Sequence, residues 1–414
     1  MVARDGDRTG SVRSEANHAA ATADSADIAE LAARARETGR IALDTEFMGE
    51  GRYRSLLCLV QAATDGPDGE GPMIILADPL SPDPPDCQPL ADLLDDPSIE
   101  VVMHAGRQDV ALLRREWNCE VTNLFDTQVA AGFAGFGAQA GYANLLSAAL
   151  NIKVEKGASY TRWDQRPLSD EQLSYARGDV DHLLDLRDEL VRRLDAHGRT
   201  PWAREECLVI AASSDRRDPR ESWRRLGKVS GLSGQQRAVA RELAAWREEA
   251  AEAEDKPLGT IIQDPPLVEV ARRRPQSLAE LRDIRGVHEG IIRRRGDDMI
   301  AAVRRGLEAE PIPGEGRGDG GDPRETPLTS MADALLRTRA RQNDLAPELI
   351  ATRADLGRIV SSVRRDAAEP DDVKTLIGWR REIVGQELLD LLHGRTTLAV
   401  GDDLTVEALP RREG

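Results

Sequence analysis

The chain has 414 residues, of which 40% are hydrophobic, 3% aromatic and 31% charged, with a net charge of −17. This length predicts two or three domains, and the acidic balance argues against a protein that coats nucleic acid non-specifically. No apolar run approaches the roughly 18 residues of a membrane span, no signal segment is evident, and the cysteines lack the spacing of a zinc site, so we expect a cytoplasmic protein without membrane contact.

Residues 1–23 are polar and lack apolar periodicity, which predicts a disordered tail. From Ser25 the apolar residues follow helical spacing, and Gly39 supplies the end of that helix. Five short apolar runs then predict strands at 41–47, 56–62, 73–77, 101–104 and 121–125. The first three are separated by short turns and the last two flank a helix. An α/β domain with a mixed sheet is predicted, with helices beyond it.

An acidic pair, Asp44 and Glu46, lies within the first predicted strand. Residues two apart on a strand project to the same face, so the two carboxylates are neighbours while Thr45 points away. Buried side by side they repel each other, and a divalent cation between them relieves that repulsion. The alternative is a strand end that reaches solvent, where acidic residues cost little.

Three further residues carry the same kind of chemistry. Asp109 lies in the first turn of the helix after the fourth strand, where it either faces a ligand crevice or only stabilises the helix dipole. Ser169 begins a capping box and a helix predicted to run to about residue 196. Within it, Tyr175 and Asp179 are four residues apart and share a face. Gly178 between them indicates either close helix packing or a close approach beside Asp179.

These segments resemble the three exonuclease motifs of the DEDD superfamily, and more closely the bacterial ribonuclease D family. The matching segments are LDTEF at 43–47, LCLVQ at 57–61, HAGRQD at 104–109, FDTQ at 125–128 and YARGDV at 175–180. The tyrosine in the last motif identifies the DEDDy type. The resemblance implies a ribonuclease H-like mixed-sheet exonuclease domain over 24–203. It also implies 3′→5′ exoribonuclease activity on RNA, notably tRNA precursors with 3′ extensions, releasing nucleoside monophosphates.

The residue types fit this chemistry. Asp44, Glu46, Asp109 and Asp179 supply hard oxygen ligands whose charge balances two Mg²⁺ or Mn²⁺ ions, and two such ions stabilise the attacking and leaving oxygens of phosphodiester hydrolysis. Tyr175 completes the predicted catalytic set. Its phenol, with a pKa near 10, is better suited to orient the attacking water than to remove its proton.

The resemblance also implies supporting roles for His104, Gln108 and Asp126. Arg107 and Arg162 are candidates for phosphate contact. The alternatives are a core histidine and arginines that contact only water.

The remaining sequence reads as helical. Residues 204–227 are predicted to form a connector, and 228–308 a five-helix unit that resembles the helicase-and-RNase-D C-terminal (HRDC) domain. Residues 1–203 carry 20 basic and 34 acidic residues, whereas 228–306 carry 15 and 13. The basic clusters Arg272, Arg273 and Arg274, and 293–295, are therefore predicted to bind RNA phosphates, or else to form a solvated helix face.

A Gly-rich stretch at 309–328 predicts a flexible linker that lets the helical units adjust around RNA. A second HRDC-like helical domain is predicted over 329–400, followed by a frayed end. The predicted architecture is one α/β exonuclease domain and two all-α domains in a monomer. Two alternatives stay open at this point: a DNA-directed exonuclease on the same scaffold, and a non-catalytic nucleic-acid-binding protein, which would predict decayed carboxylates.

Overall fold

The computed structural model describes residues 22–69, 71–154, 162–216, 218–314, 323–402 and 405–411. The predicted tail at 1–23 lies almost entirely outside this part of the chain, as does the centre of the predicted linker. Within the described part, no helix is long and apolar enough to cross a membrane.

The first domain is built on a five-stranded sheet. Its strands are β1 (Arg40–Met48), β2 (Leu56–Thr64), β3 (Met73–Ala77), β4 (Glu100–Met103) and β5 (Leu124–Asp126). The order is β3-β2-β1-β4-β5, with β1 antiparallel to β2 and parallel to β4, so the predicted mixed sheet is confirmed. The fifth strand starts later than predicted, because the Thr122 amide and hydroxyl both donate to the carbonyl of Leu94 instead of joining the ladder.

Among the described residues of this domain, eight helices pack on the sheet or on one another. They are α1 (Ser25–Thr38), α2 (Gln88–Asp95), α3 (Arg107–Trp117), α4 (Thr127–Phe133), α5 (Tyr142–Leu150), α6 (Asp170–Asp181), α7 (Leu183–Ala196) and α8 (Thr200–Ala211). Gly39 ends α1 with a left-handed φ of 75°, which glycine adopts without a Cβ penalty. Ser169 opens α6 with the predicted capping box, but the long helix predicted there breaks at His182 into α6 and α7.

The residues predicted as a connector, 204–227, divide between two units. Residues 204–211 belong to α8. In this helix the Cys207 sulfur accepts a hydrogen bond from the Asp126 amide of β5. Trp223, near the end, is buried in the core of the following helical unit. The polar composition of residues 204–227 predicts a connector, but residues at both ends of this segment pack against the neighbouring units.

The first helical unit comprises α9 (Gly234–Glu254), α10 (Leu258–Ile261), α11 (Asp264–Arg273), α12 (Leu278–Arg282) and α13 (Glu289–Glu308). It contacts the exonuclease domain through polar pairs at the carboxyl end of α9 and through Tyr53, which packs against the hydrophobic core of the unit. The Tyr53 hydroxyl donates to Glu248 at 2.7 Å, and Arg52 pairs with Asp255 at 2.7 Å. Both Tyr53 and Arg52 belong to the loop that follows β1. The unit therefore rests on the loop directly after the Asp44–Glu46 strand.

The second helical unit comprises α14 (Glu325–Gln342), α15 (Pro347–Ile350), α16 (Arg353–Arg364), α17 (Gly378–Arg380) and α18 (Gln386–Leu392). It shares a hydrophobic core with the exonuclease domain. Trp379 stacks on Trp202 at 4.9 Å and meets the edge of Phe133 at 5.3 Å. Arg380 pairs with Glu206 at 2.7 Å. The expectation that this unit adjusts freely was wrong, because an apolar interface fixes it to the first domain.

The structure also differs from the prediction at both ends of the second unit. Residues 325–328 of the predicted linker are the first turn of α14, and the Ile312 amide donates to Gly234, which ties the start of the linker to α9. The end predicted to be frayed contains β7 (Val406–Pro410), which pairs antiparallel with β6 (Thr396–Val400). β6 lies within 329–400, so the prediction of a wholly helical second domain was wrong at its end. Threonine and valine residues on both sides of Gly401 and Asp402 favour such a hairpin.

Candidate active site

Three carboxylates predicted from the sequence meet at one place. Asp44 and Glu46 project from β1, and Asp179 comes from α6, which packs on β1 and β2. One carboxylate oxygen from each lies within 4.8 Å of the others. An oxygen cluster of this size suits a hard divalent cation.

The fourth carboxylate, Asp109, stands beside this cluster. It lies in the first turn of α3, is 8% exposed, and accepts a hydrogen bond from the Thr45 hydroxyl. Strand alternation predicts that Thr45 points to the face of β1 opposite to Asp44 and Glu46, where it has no predicted role. In the structure Thr45 contacts Asp109 through its hydroxyl and so helps to position that carboxylate. Strand alternation alone does not predict this contact.

Burial and mutual repulsion make the charged forms of these carboxylates unfavourable when no cation is bound. Burial, followed by repulsion from Asp109, Asp179 and Glu46, raises the pKa of Asp44 well above its usual value. Burial and the same kind of repulsion raise the pKa of Glu46 to about 8, and burial raises the pKa of Asp179 to about 7. Without a cation the cluster therefore holds protons near neutral pH.

This gives the first prediction, on the stability of the metal-free protein. Between the ordinary pKa of Glu46, 4.5, and its folded value of about 8, the folded state binds more protons than the unfolded state. Stability must then fall as pH rises through that window. We expect the melting temperature in EDTA to decline from pH 5 to pH 8, and Mn²⁺ to offset the decline. Glu46→Gln should flatten the EDTA profile, and an unchanged slope in that variant would contradict the assignment.

Tyr175 is placed at the edge of the cluster. Its hydroxyl is hydrogen-bonded to Asp179, its ring lies 6.2 Å from that of Trp163, and 39% of its surface is exposed. Burial and the nearby carboxylates raise its pKa to about 12. The phenol therefore stays protonated and can donate a hydrogen bond, which matches an orienting role and not that of a base.

Asp126 anchors the turn that leads to Asp109. Its buried carboxylate accepts the amides of Gly106 and Val129, at 2.8 and 3.1 Å, and so links the start of α3 to the start of α4. His104, in the same turn, lies 2.9 Å from the Thr127 hydroxyl through Nδ1, and burial lowers its pKa. The structure thus gives His104 a neutral, half-buried setting behind the carboxylates.

A cavity of about 410 Å³ lies at the first turns of α3. Phe47, Arg107 and Gln108 line it, together with residues 213–215 of the connector. Its lining contains none of the four carboxylates, although Phe47 and Gln108 are next to Glu46 and Asp109 in the chain. Both candidate substrate-binding residues of this turn, Arg107 and Gln108, are exposed there.

Gly178 does not serve close helix packing. A Cβ built on this residue meets no atom within 4 Å. Of the two explanations for a mid-helix glycine, helix packing is therefore excluded for the described residues, and the space beside Asp179 is open.

The predicted arginine contacts are distributed unevenly. Arg162 is 62% exposed and pairs with Asp164 at 2.9 Å. Arg272 and Arg273 pair with Glu269 at the end of α11, and all three arginines at 272–274 are exposed. In the second cluster, Arg295 is held by Glu254. None of these arginines belongs to the carboxylate cluster.

Two family models match the chain. One, for a 3′-5′ exonuclease, covers residues 20–195, and one for the HRDC domain covers residues 236–303. The exonuclease match contains all five predicted catalytic residues, and the HRDC match contains Arg272, Arg273 and Arg274.

Several curated relatives match most of the chain. The ribonuclease D of Granulibacter bethesdensis is 35% identical over 381 residues, 91% of this chain and 93% of its own. That of Gluconacetobacter diazotrophicus is 35% identical over 390 residues, 93% of this chain and 95% of its own. The crystal structure of Escherichia coli RNase D, described as an exoribonuclease involved in structured RNA processing, matches with a TM-score of 0.77 at 28% identity and covers 90% of this chain and 98% of that one.

Proposed function

The chain belongs to the ribonuclease D family, and we propose that it is a 3′→5′ exoribonuclease that trims tRNA precursors using two divalent metal ions. The observation that carries this proposal is the convergence of Asp44, Glu46 and Asp179 within 4.8 Å, with Asp109 beside them. All four carboxylates are retained, which argues against a non-catalytic relic. A cytoplasmic location and a monomeric state stay predictions.

The donor set fits the proposed ions. Asp44, Glu46, Asp109 and Asp179 offer only oxygen ligands, and their four negative charges balance two Mg²⁺ or Mn²⁺ ions. When bound, such ions stabilise charge on the attacking and leaving oxygens of a phosphodiester. The raised pKa values of these carboxyl groups indicate that ion binding displaces protons from them.

The other residues act on the substrate side. Tyr175 keeps its proton and can fix the attacking water by a hydrogen bond. Arg107 and Gln108 are exposed in the turn directly before Asp109, where they can contact the substrate. Attack on the last phosphodiester would release a nucleoside 5′-monophosphate.

Digestion of a 3′-extended tRNA precursor tests this function. Stepwise shortening with Mg²⁺ or Mn²⁺, lost in EDTA and in Asp44→Asn, is the expected result. Single-stranded DNA of the same 3′ sequence should be degraded more slowly. Faster degradation of the DNA would favour the DNA-directed alternative, and no shortening with either ion would refute the nuclease.

The first helical unit is the proposed site of RNA capture. The exonuclease domain is strongly acidic and attracts RNA poorly at long range, so local basic faces must supply the contact. The Gln236 side chain donates to the Arg272 carbonyl, which places residues 272–274 near the start of α9. Glu248, at the exonuclease contact, lies twelve residues further along α9, about 18 Å away. The arginines at 272–274 therefore lie away from the catalytic centre, at a position that the body of a bound tRNA would reach.

Changing Arg272, Arg273 and Arg274 together to Ala should weaken binding of the tRNA precursor. The dependence of log affinity on log salt should also flatten, with a slope smaller by about 0.7 for each single-strand phosphate that the variant no longer neutralises. The exposed pairs of these arginines with Glu269 contribute little to folding, so the melting temperature should hold. Binding titrations from 50 to 200 mM salt measure the effect.

The matched control removes the same charge elsewhere. Arg337, Arg341 and Arg353 are exposed on the second helical unit, and their change to Ala should leave the salt slope nearly unchanged. Equal effects in both triple variants would mean that only total charge matters. The intact chain is needed for these measurements, because truncation near Ser213 would uncover Phe133 and Trp202.

A further inference from the structure

Gln61 occupies an unusual place for a carboxamide. It lies on β2 directly opposite Asp44 of β1, and directly opposite Leu76 of β3 on its other side. Directly opposed residues of antiparallel strands project to the same face, with Cβ atoms about 4.5–5.5 Å apart. This face is covered by α6, the helix that carries Asp179. Gln61 therefore lies next to β1, which carries Asp44 and Glu46, and beneath α6, which carries Asp179.

The Gln61 side chain has no hydrogen-bond partner among the described residues. Gln61 is 0% exposed, and neither its amide nitrogen nor its amide oxygen has a hydrogen-bond partner among the described residues. A buried polar group without a partner destabilises a protein, and such groups are rare outside functional sites. An apolar residue would pack there at lower cost, as Leu76 does next to it.

We propose that Gln61 is a positioning residue for the metal-loaded centre. Asp44 lies directly opposite Gln61, so the Gln61 amide N–H can donate a hydrogen bond to the Asp44 carboxylate when that carboxylate binds a cation. Outer hydrogen bonds of this kind fix the orientation of ligating carboxylates.

This inference rests on the proposed function but concerns a residue outside the carboxylate set. Its distinguishing feature is that the benefit of Gln61 appears only with the metal. A residue that merely fills the core stabilises the protein whether or not a cation is present. Metal affinity and metal-free stability should therefore move in opposite directions when the amide is removed.

Gln61→Met tests this, since it keeps the length of the side chain and removes both polar atoms. In EDTA the melting temperature should rise by about 2–4 °C, as expected for removal of an unpartnered buried amide. Affinity for Mn²⁺, measured by calorimetry and by the metal-induced melting shift, should fall by about 10–100-fold. Turnover of a short RNA should fall at limiting Mn²⁺ and recover at high Mn²⁺, with KM for the RNA little changed.

Leu76→Met is the matched control, because it alters packing on the other side of Gln61 without touching a polar group. It should leave Mn²⁺ affinity unchanged. A Gln61→Met protein that is less stable in EDTA, or that binds Mn²⁺ as tightly as the unaltered protein, would overturn the inference and make Gln61 a core residue. Absence of Mn²⁺ binding and of RNA cleavage in the unaltered protein would instead refute the proposed function itself.

Discussion

Asp44→Asn should abolish most of the exoribonuclease activity while leaving the fold intact. Asp44 lies at the centre of the cluster, since Asp109, Asp179 and Glu46 all act on its charge. The amide keeps the size of the side chain but removes a charged oxygen ligand. Changes to residues that only orient metal ligands cost about 10–100-fold, so loss of a ligand itself should lower turnover by at least about 100-fold.

The same substitution should not harm the metal-free protein. Replacing the half-buried Asp44 carboxylate by an amide removes repulsion from three neighbours, so the melting temperature in EDTA should rise or stay level. Mn²⁺ should then raise it less than in the unaltered protein. Asp185→Asn provides the control, because that side chain is 70% exposed on α7. Loss of metal-free stability in Asp44→Asn alone would mean that the cluster is structural.

Tyr175→Phe is expected to have a comparable effect on the rate by a different cause. The ring and its packing against Trp163 remain, and only the hydroxyl that bonds Asp179 is removed. If the hydroxyl orients the attacking water, turnover at saturating RNA should fall by roughly 100-fold or more. Metal affinity and the melting temperature should change little, which separates this effect from that of Asp44→Asn.

Tyr53→Phe is the matched control for the removal of a phenol hydroxyl. The Tyr53 hydroxyl donates to Glu248 where two units meet, outside the carboxylate cluster. Turnover of short oligonucleotides should stay near that of the unaltered protein in this variant. If Tyr175→Phe also turns over normally, the Tyr175 hydroxyl is not needed for catalysis and the water is oriented by another group.

Features that depend on local periodicity could be predicted from the amino-acid sequence alone. Alternation along β1 placed Asp44 and Glu46 on one face, and helical spacing placed Tyr175 beside Asp179. Capping residues such as Ser169 specified helix starts, because a cap satisfies backbone groups within three residues. The five strands and the mixed character of the sheet, but not the strand order, followed from apolar runs and turns. Each of these features depends on neighbours in the chain.

Features that depend on partners far apart in sequence emerged only in the folded chain. The bond from Thr45 to Asp109 spans 64 residues, and the opposition of Gln61 to Asp44 depends on strand register. The sequence predicts that the second helical unit is flexibly attached, whereas stacking of Trp379 on Trp202 gives it a hydrophobic core shared with the exonuclease domain. Such contacts form only when apolar faces from separate segments are buried together, and local periodicity does not specify which faces meet.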